Sequence, residues 1–137
     1  MATTEHVAGA FDVTMNPNPH YENVDGGNVL GRISLGKTFH GELDATSTVQ
    51  MLSAGTATKG SAGYVAIELV VGRLRGLAGS FVLQHSGTMN RGQATLTVSV
   101  VPDSGTGALK GLCGTMKIDI VDGAHSYGFD YVIDAGS

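Results

Sequence analysis

The stretch Gln93-Ala94-Thr95-Leu96-Thr97-Val98-Ser99-Val100-Val101 decides the fold. Ala94, Leu96, Val98 and Val100 alternate with Gln93, Thr95, Thr97 and Ser99. A period of two sends successive side chains to opposite faces, so this segment reads as a half-buried β-strand. Asn90-Arg91-Gly92 just before it supplies a turn. Working outward, the pattern recurs. Gly9 to Met15 sets Phe11, Val13 and Met15 against Asp12 and Thr14. Val29 to Phe39 sets Ile33, Leu35, Lys37 and Phe39 against Arg32, Ser34, Gly36 and Thr38. Further strands are expected over 43–52, 64–71, 79–86, 112–120 and 125–133. Glycine-bearing turns separate them at 40–41, 55–63, 72–76 and 122–123, and the Pro/Asn-rich run from Met15 to His20 reads as a loop. One short helical turn fits, at Gly107 to Gly111, and no segment carries a helical i, i+3, i+4, i+7 stripe. About eight strands with short connections predict an all-β, antiparallel meander closed as an eight-stranded barrel.

Composition agrees and sets limits. The chain has 137 residues, the size of one domain spanning 1–137. Of these, 21 are glycine, about twice the usual share of ~7%, and they fall mostly between the strands. A net charge of −4 argues against nucleic-acid and anionic-membrane partners. The longest apolar run, Tyr64 to Val71, is interrupted by Glu68 and is too short to span a bilayer. The residues from Met1 to His6 lack a basic segment followed by an apolar one, so no signal peptide is expected. With a single free cysteine, Cys113, this favours a reducing cytoplasm. The segments Tyr64 to Val71 and Gly79 to Leu83 look apolar on both faces, which a lone barrel does not need. A subunit interface is the simplest cover, and a homo-oligomer is expected.

The blocks Leu35-Gly36-Lys37-Thr38-Phe39-His40-Gly41-Glu42-Leu43, Ile67-Glu68-Leu69-Val70-Val71-Gly72, Gly79-Ser80-Phe81-Val82-Leu83-Gln84-His85-Ser86-Gly87 and Val100-Val101-Pro102-Asp103-Ser104-Gly105-Thr106-Gly107 together resemble the bacterial domain-of-unknown-function family 3224. The Gly105-Thr106-Gly107 turn, followed by Leu109, Gly111 and Gly114, also resembles the signature of allene oxide cyclase and dirigent barrels. The resemblance implies a calycin-like barrel of the allene oxide cyclase type. It implies no activity, and no cyclase catalytic residue maps onto a motif here.

Several residues stand out chemically. Lys37 shares a face with Ile33, Leu35 and Phe39, and Glu68 interrupts an apolar run. Burying either alone is expensive, so they are expected to pair with each other or with partners such as His85 or Tyr131. The favoured reading is structural: an ion pair, or a snorkelling Lys with an outward Glu. The functional alternative makes Glu68, His85 and Lys37 catalytic candidates, a buried carboxyl being able to act as acid or base. The last strand places His125, Tyr127, Phe129, Tyr131 and Ile133 on one face, as barrel core or as one wall of an apolar pocket. Tyr127, Phe129, Tyr131, Phe81 and Gln84 are therefore candidate ligand-binding residues. His6 and His20 read as tail and loop residues. No two of the five histidines lie at i, i+2 or i+4, so no metal site and no cofactor are expected. Cys113 reads as a small buried residue. The segment Gly105 to Gly111 has three residues between its second and third glycines, where a dinucleotide fingerprint needs two, and reads as a tight turn. The function expected is a barrel holding a small apolar ligand. The alternatives are a cyclase or isomerase acting on such a ligand, and a filled barrel serving as a structural or interaction protein.

Overall fold

The computed structural model describes residues 3–15 and 18–134. Nine strands form one antiparallel sheet: β1 (Glu5–Met15), β2 (His20–Asn23), β3 (Val29–Phe39), β4 (Leu43–Gly55), β5 (Ala62–Leu74), β6 (Leu77–Asn90), β7 (Gln93–Val100), β8 (Leu112–Val121) and β9 (Ala124–Ile133). They follow one another as a meander, and β1 closes the sheet by pairing with both β9 and β3. β2 was not expected: its first residue, His20, falls in the run read as loop, and the sequence pattern assigns Tyr21 to Asn23 to no element. It pairs with Val29–Arg32 of β3, while β1 pairs with Leu35–Phe39 of the same strand. The two are thus one interrupted strand, and the closed barrel is eight-stranded. His6 and His20 lie on β1 and β2, correcting their reading as tail and loop.

Three hairpins turn through two residues with positive φ at both: Arg75-Gly76, Arg91-Gly92 and Asp122-Gly123. Such turns match the twist of the strands they join, and glycine at the second position takes the left-handed conformation without strain. The Gly105-Thr106-Gly107 turn clamps onto β6. The Thr106 amide donates to the Ser80 carbonyl at 2.8 Å, and a Cβ on Gly79 would lie 2.1 Å from the Thr106 carbonyl oxygen. The short 3-10 turn Gly107–Leu109 then presses Leu109, 1% exposed, under one end of the barrel. The motif serves closure of that end.

The interior divides in two. At the closed end Phe39, Leu43, Leu74, Phe81, Leu83, Leu112 and Phe129 pack with almost no exposure. Phe81 and Phe129 stack with centroids 5.7 Å apart, and Tyr127 donates to the His40 carbonyl at 2.7 Å. Filling by side chains is the usual state of an eight-stranded barrel. At the other end, toward the hairpins at 91–92 and 122–123, the interior is open. Among the described residues β7 and β8 share a single residue pair, Ser99 with Thr115, at the end of β7 away from the 91–92 hairpin.

Alternation holds with two corrections. β5 is apolar on both faces, as its sequence reads, and the correction concerns the side Glu68 takes. Val65, Ile67, Leu69 and Val71 point outward and are about half exposed, while Ala66, Glu68 and Val70 point in. Glu68 is therefore not the outward residue of the snorkelling alternative. Cys113 is exposed, because it alternates with the inward Leu112 and Gly114 on β8. No helix among the described residues is long and apolar enough to cross a membrane.

Candidate functional site

The open end holds a cavity of about 800 Å³. Its wall is mostly apolar, with Phe11, Val13, Leu35, Val49, Met51, Leu96 and Ile118 among its side chains. Lys37, Tyr64 and His85 reach its surface at the floor, and Tyr21, Ser53, Thr88, Thr95 and His125 are the other polar side chains of the lining.

Strand register explains why these three meet. On β5, Tyr64, Ala66 and Glu68 share the inward face. His85 of β6 lies opposite Ala66, hence diagonal to both Tyr64 and Glu68. The small Ala66 leaves room for the imidazole between them. Its Nε2 lies 2.8 Å from Glu68 Oε1 and its Nδ1 3.3 Å from the Tyr64 hydroxyl. On the other side, Ser47 of β4 is diagonal to Glu68 and donates to Oε2 at 2.6 Å. Lys37, opposite Ser47 on β3, extends its stem across that strand and donates to Oε1 at 3.2 Å. The Lys37 ammonium also lies 5.0 Å from the Phe11 ring centroid, within cation–π range.

Glu68 is 0% exposed, and Lys37 and His85 are 8% and 3% exposed. Burial by itself pushes the Glu68 carboxyl up. The hydrogen bond from His85, the charge of Lys37 and the hydrogen bond from Ser47 outweigh it and hold the group below its ordinary value of 4.5. Glu68 is thus an ionised carboxylate, and the imidazole bridges it to the phenol: an Nε2–H donates to Glu68, and in that tautomer Nδ1 accepts from the Tyr64 hydroxyl. Burial, followed by the Glu68 charge, pushes the Tyr64 hydroxyl up. Lys37 and Glu68 form an ion pair at the floor, so their charges offset each other. Every buried side-chain N or O among the described residues has a partner.

The three catalytic candidates therefore come together, with Lys37 and His85 facing the cavity and Glu68 beneath them. Tyr131 is not part of the group. The ligand-binding candidates lie elsewhere. Tyr127, Phe129, Tyr131 and Phe81 pack in the closed end and Gln84 is exposed on the outer face, so none lines the cavity. His125, the first residue of the same inward face, does line it and lies tilted against Phe11 with ring centroids 5.2 Å apart. The aromatic face of β9 runs the barrel's length, and only its open end meets empty space. Tyr64 was missed. It shares the inward face of Glu68 four residues away, a spacing that was available to find it. No His, Cys, Asp and Glu group of three or more that could hold a metal occurs among the described residues.

The profile of a family described as "Protein of unknown function (DUF3224)" matches residues 7–131. The chain belongs to the DUF3224 family. A crystal structure of a DUF3224 protein of unknown function from Shewanella oneidensis MR-1 is 53% identical, superposes with a TM-score of 0.90, and covers 96% of this chain and 99% of that one. No curated protein matches this DUF3224 chain.

Proposed function

We propose that the barrel binds a small, largely apolar and uncharged molecule with its polar end at the floor. The observation that carries this is the cavity itself: about 800 Å³ of mostly apolar-lined space with Lys37, Tyr64 and His85 at its base, above a closed end packed with side chains. That size and lining suit a drug-sized apolar ligand. Because Lys37 and Glu68 neutralise each other, the floor favours a carbonyl or hydroxyl over a carboxylate. Native mass spectrometry of protein purified from its host is expected to show an adduct of small mass that organic solvent extracts. Stripped protein that fails to bind a neutral apolar dye such as Nile red would sink the reading.

A reducing compartment, the cytoplasm, fits the exposed free thiol of Cys113. A second copy of the chain is the proposed cover for the outer face of β5. Val65, Ile67, Leu69 and Val71 there adjoin Thr46, Thr48, Gln50 and Leu52 of β4, so the patch is uncharged and a two-fold contact through it brings no like charges together. Light scattering is expected to give a multiple of the 14.0 kDa chain mass, and Ile67→Lys is expected to yield the monomer. A monomeric wild type refutes this.

A further inference from the structure

We propose that the cavity floor is a proton-transfer site for neutral ketones, with Tyr64 meeting the substrate and the His85–Glu68 pair acting behind it. This rests on the ligand-binding reading above and adds chemistry to it.

A structural ion pair does not account for the arrangement. Lys37 and Ser47 already give both Glu68 oxygens a donor. The imidazole and phenol extend the network in one direction only, from the buried carboxylate to the cavity surface. The chain also has a polarity. With Nε2–H donated to Glu68, Nδ1 is the proton acceptor for the Tyr64 hydroxyl, and the imidazolium formed by proton transfer rests against a carboxylate. Tyr64 retains its proton in the resting state, so it works by passing a proton along rather than as a standing phenolate.

The step balances without a co-reactant. The C–H bond next to the ketone carbonyl breaks, and its electron pair becomes the C=C bond of an enolate as the carbonyl π pair moves onto oxygen. The released proton bonds to the Tyr64 oxygen while the Tyr64 O–H bond breaks and its proton moves to His85 Nδ1. Lys37 lines the cavity and touches the same carboxylate oxygen as His85. It is the cation placed to donate a hydrogen bond to the enolate oxygen as negative charge develops there. Return of a proton to the same carbon regenerates the ketone. Return to the distal carbon of a β,γ-unsaturated ketone gives its conjugated isomer.

The test uses the whole protein with the methyl ketone 2-decanone in deuterated water. Saturation-transfer NMR reports binding, and loss of the signals beside the carbonyl reports exchange in the same sample. Wild type is expected to bind and to exchange faster than buffer. Tyr64→Phe is expected to keep the saturation transfer and its melting temperature, and to lose exchange by about a hundredfold, the usual worth of a positioned acid–base group. Binding without exchange above buffer would overturn the relay and leave the binding reading standing. Exchange unchanged in Tyr64→Phe would overturn the assignment to Tyr64. Absence of saturation transfer would overturn both readings.

Discussion

Replacing Glu68 with Gln is expected to lower the stability of the fold by about 3–5 kcal/mol, the usual cost of removing one partner from a buried ion pair. Lys37 is 8% exposed, and Glu68 is its ion-pair partner. A neutral amide leaves an ammonium inside the barrel with no counter-charge, and because glutamine has one oxygen where glutamate has two, a donor on one side of the group meets an NH2 instead of an acceptor. For a chain of this size the loss corresponds to roughly 10–15 °C in melting temperature. Adding Lys37→Met to Glu68→Gln removes the stranded charge and is expected to recover much of the loss, since replacing both members is far less harmful than removing one. A single-variant loss below about 1 kcal/mol would show that the pair is not an energetic keystone.

The pH dependence follows from the same group. The folded carboxyl titrates below its unfolded value of 4.5. The contribution of Glu68 is therefore complete above that value and is lost as pH falls through the lower, folded one. Denaturant melts between neutral and acid pH are expected to show wild-type stability declining there more steeply than that of Glu68→Gln. Parallel curves would contradict the assignment.

Leu35→Trp is expected to lower affinity for Nile red at least tenfold while leaving the melting temperature unchanged or higher. Leu35 points inward from β3 and lines the cavity, but it is only partly buried. The indole would thus enter space a ligand needs instead of colliding with a packed core. Filling that space buries apolar surface, worth roughly 25 cal/mol per Å². The control is Leu52→Trp. Leu52 is 55% exposed on the outside of β4, and a bulkier ring there should leave affinity alone. Equal effects at the two positions would place the dye on the outer surface.

The failures of sequence reading are as informative as its successes. The strand over 93–100 and the turns at Arg91-Gly92 and Asp122-Gly123 were legible because their chemistry is local. Alternation and a glycine able to take positive φ are visible within a few residues. β2 was hidden because His20 to Asn23 is exposed throughout, so it has no apolar face to announce it. Its pairing with β3 is a consequence of barrel closure. Cys113 was misjudged from residue type, although alternation from Leu112 already pointed it outward.

The site divides along the same line. That Glu68 and Lys37 need partners follows from the energetics of buried charge and is readable from their apolar neighbours. That Lys37, Ser47 and His85 converge on Glu68 is set by the register of four strands, as a shift of one residue would turn the contributing side chains outward. By itself, then, the sequence determined the strands, the tight turns and the presence of charges that could not stand alone. Tertiary structure alone decided which partners they met and where the barrel stayed open. A cavity is the difference between the volume a closed sheet encloses and the volume its inward side chains fill. Phe39, Phe81 and Phe129 fill one end, while Ala66, Ala94 and Gly87 at the other leave the space. No single strand carries that sum.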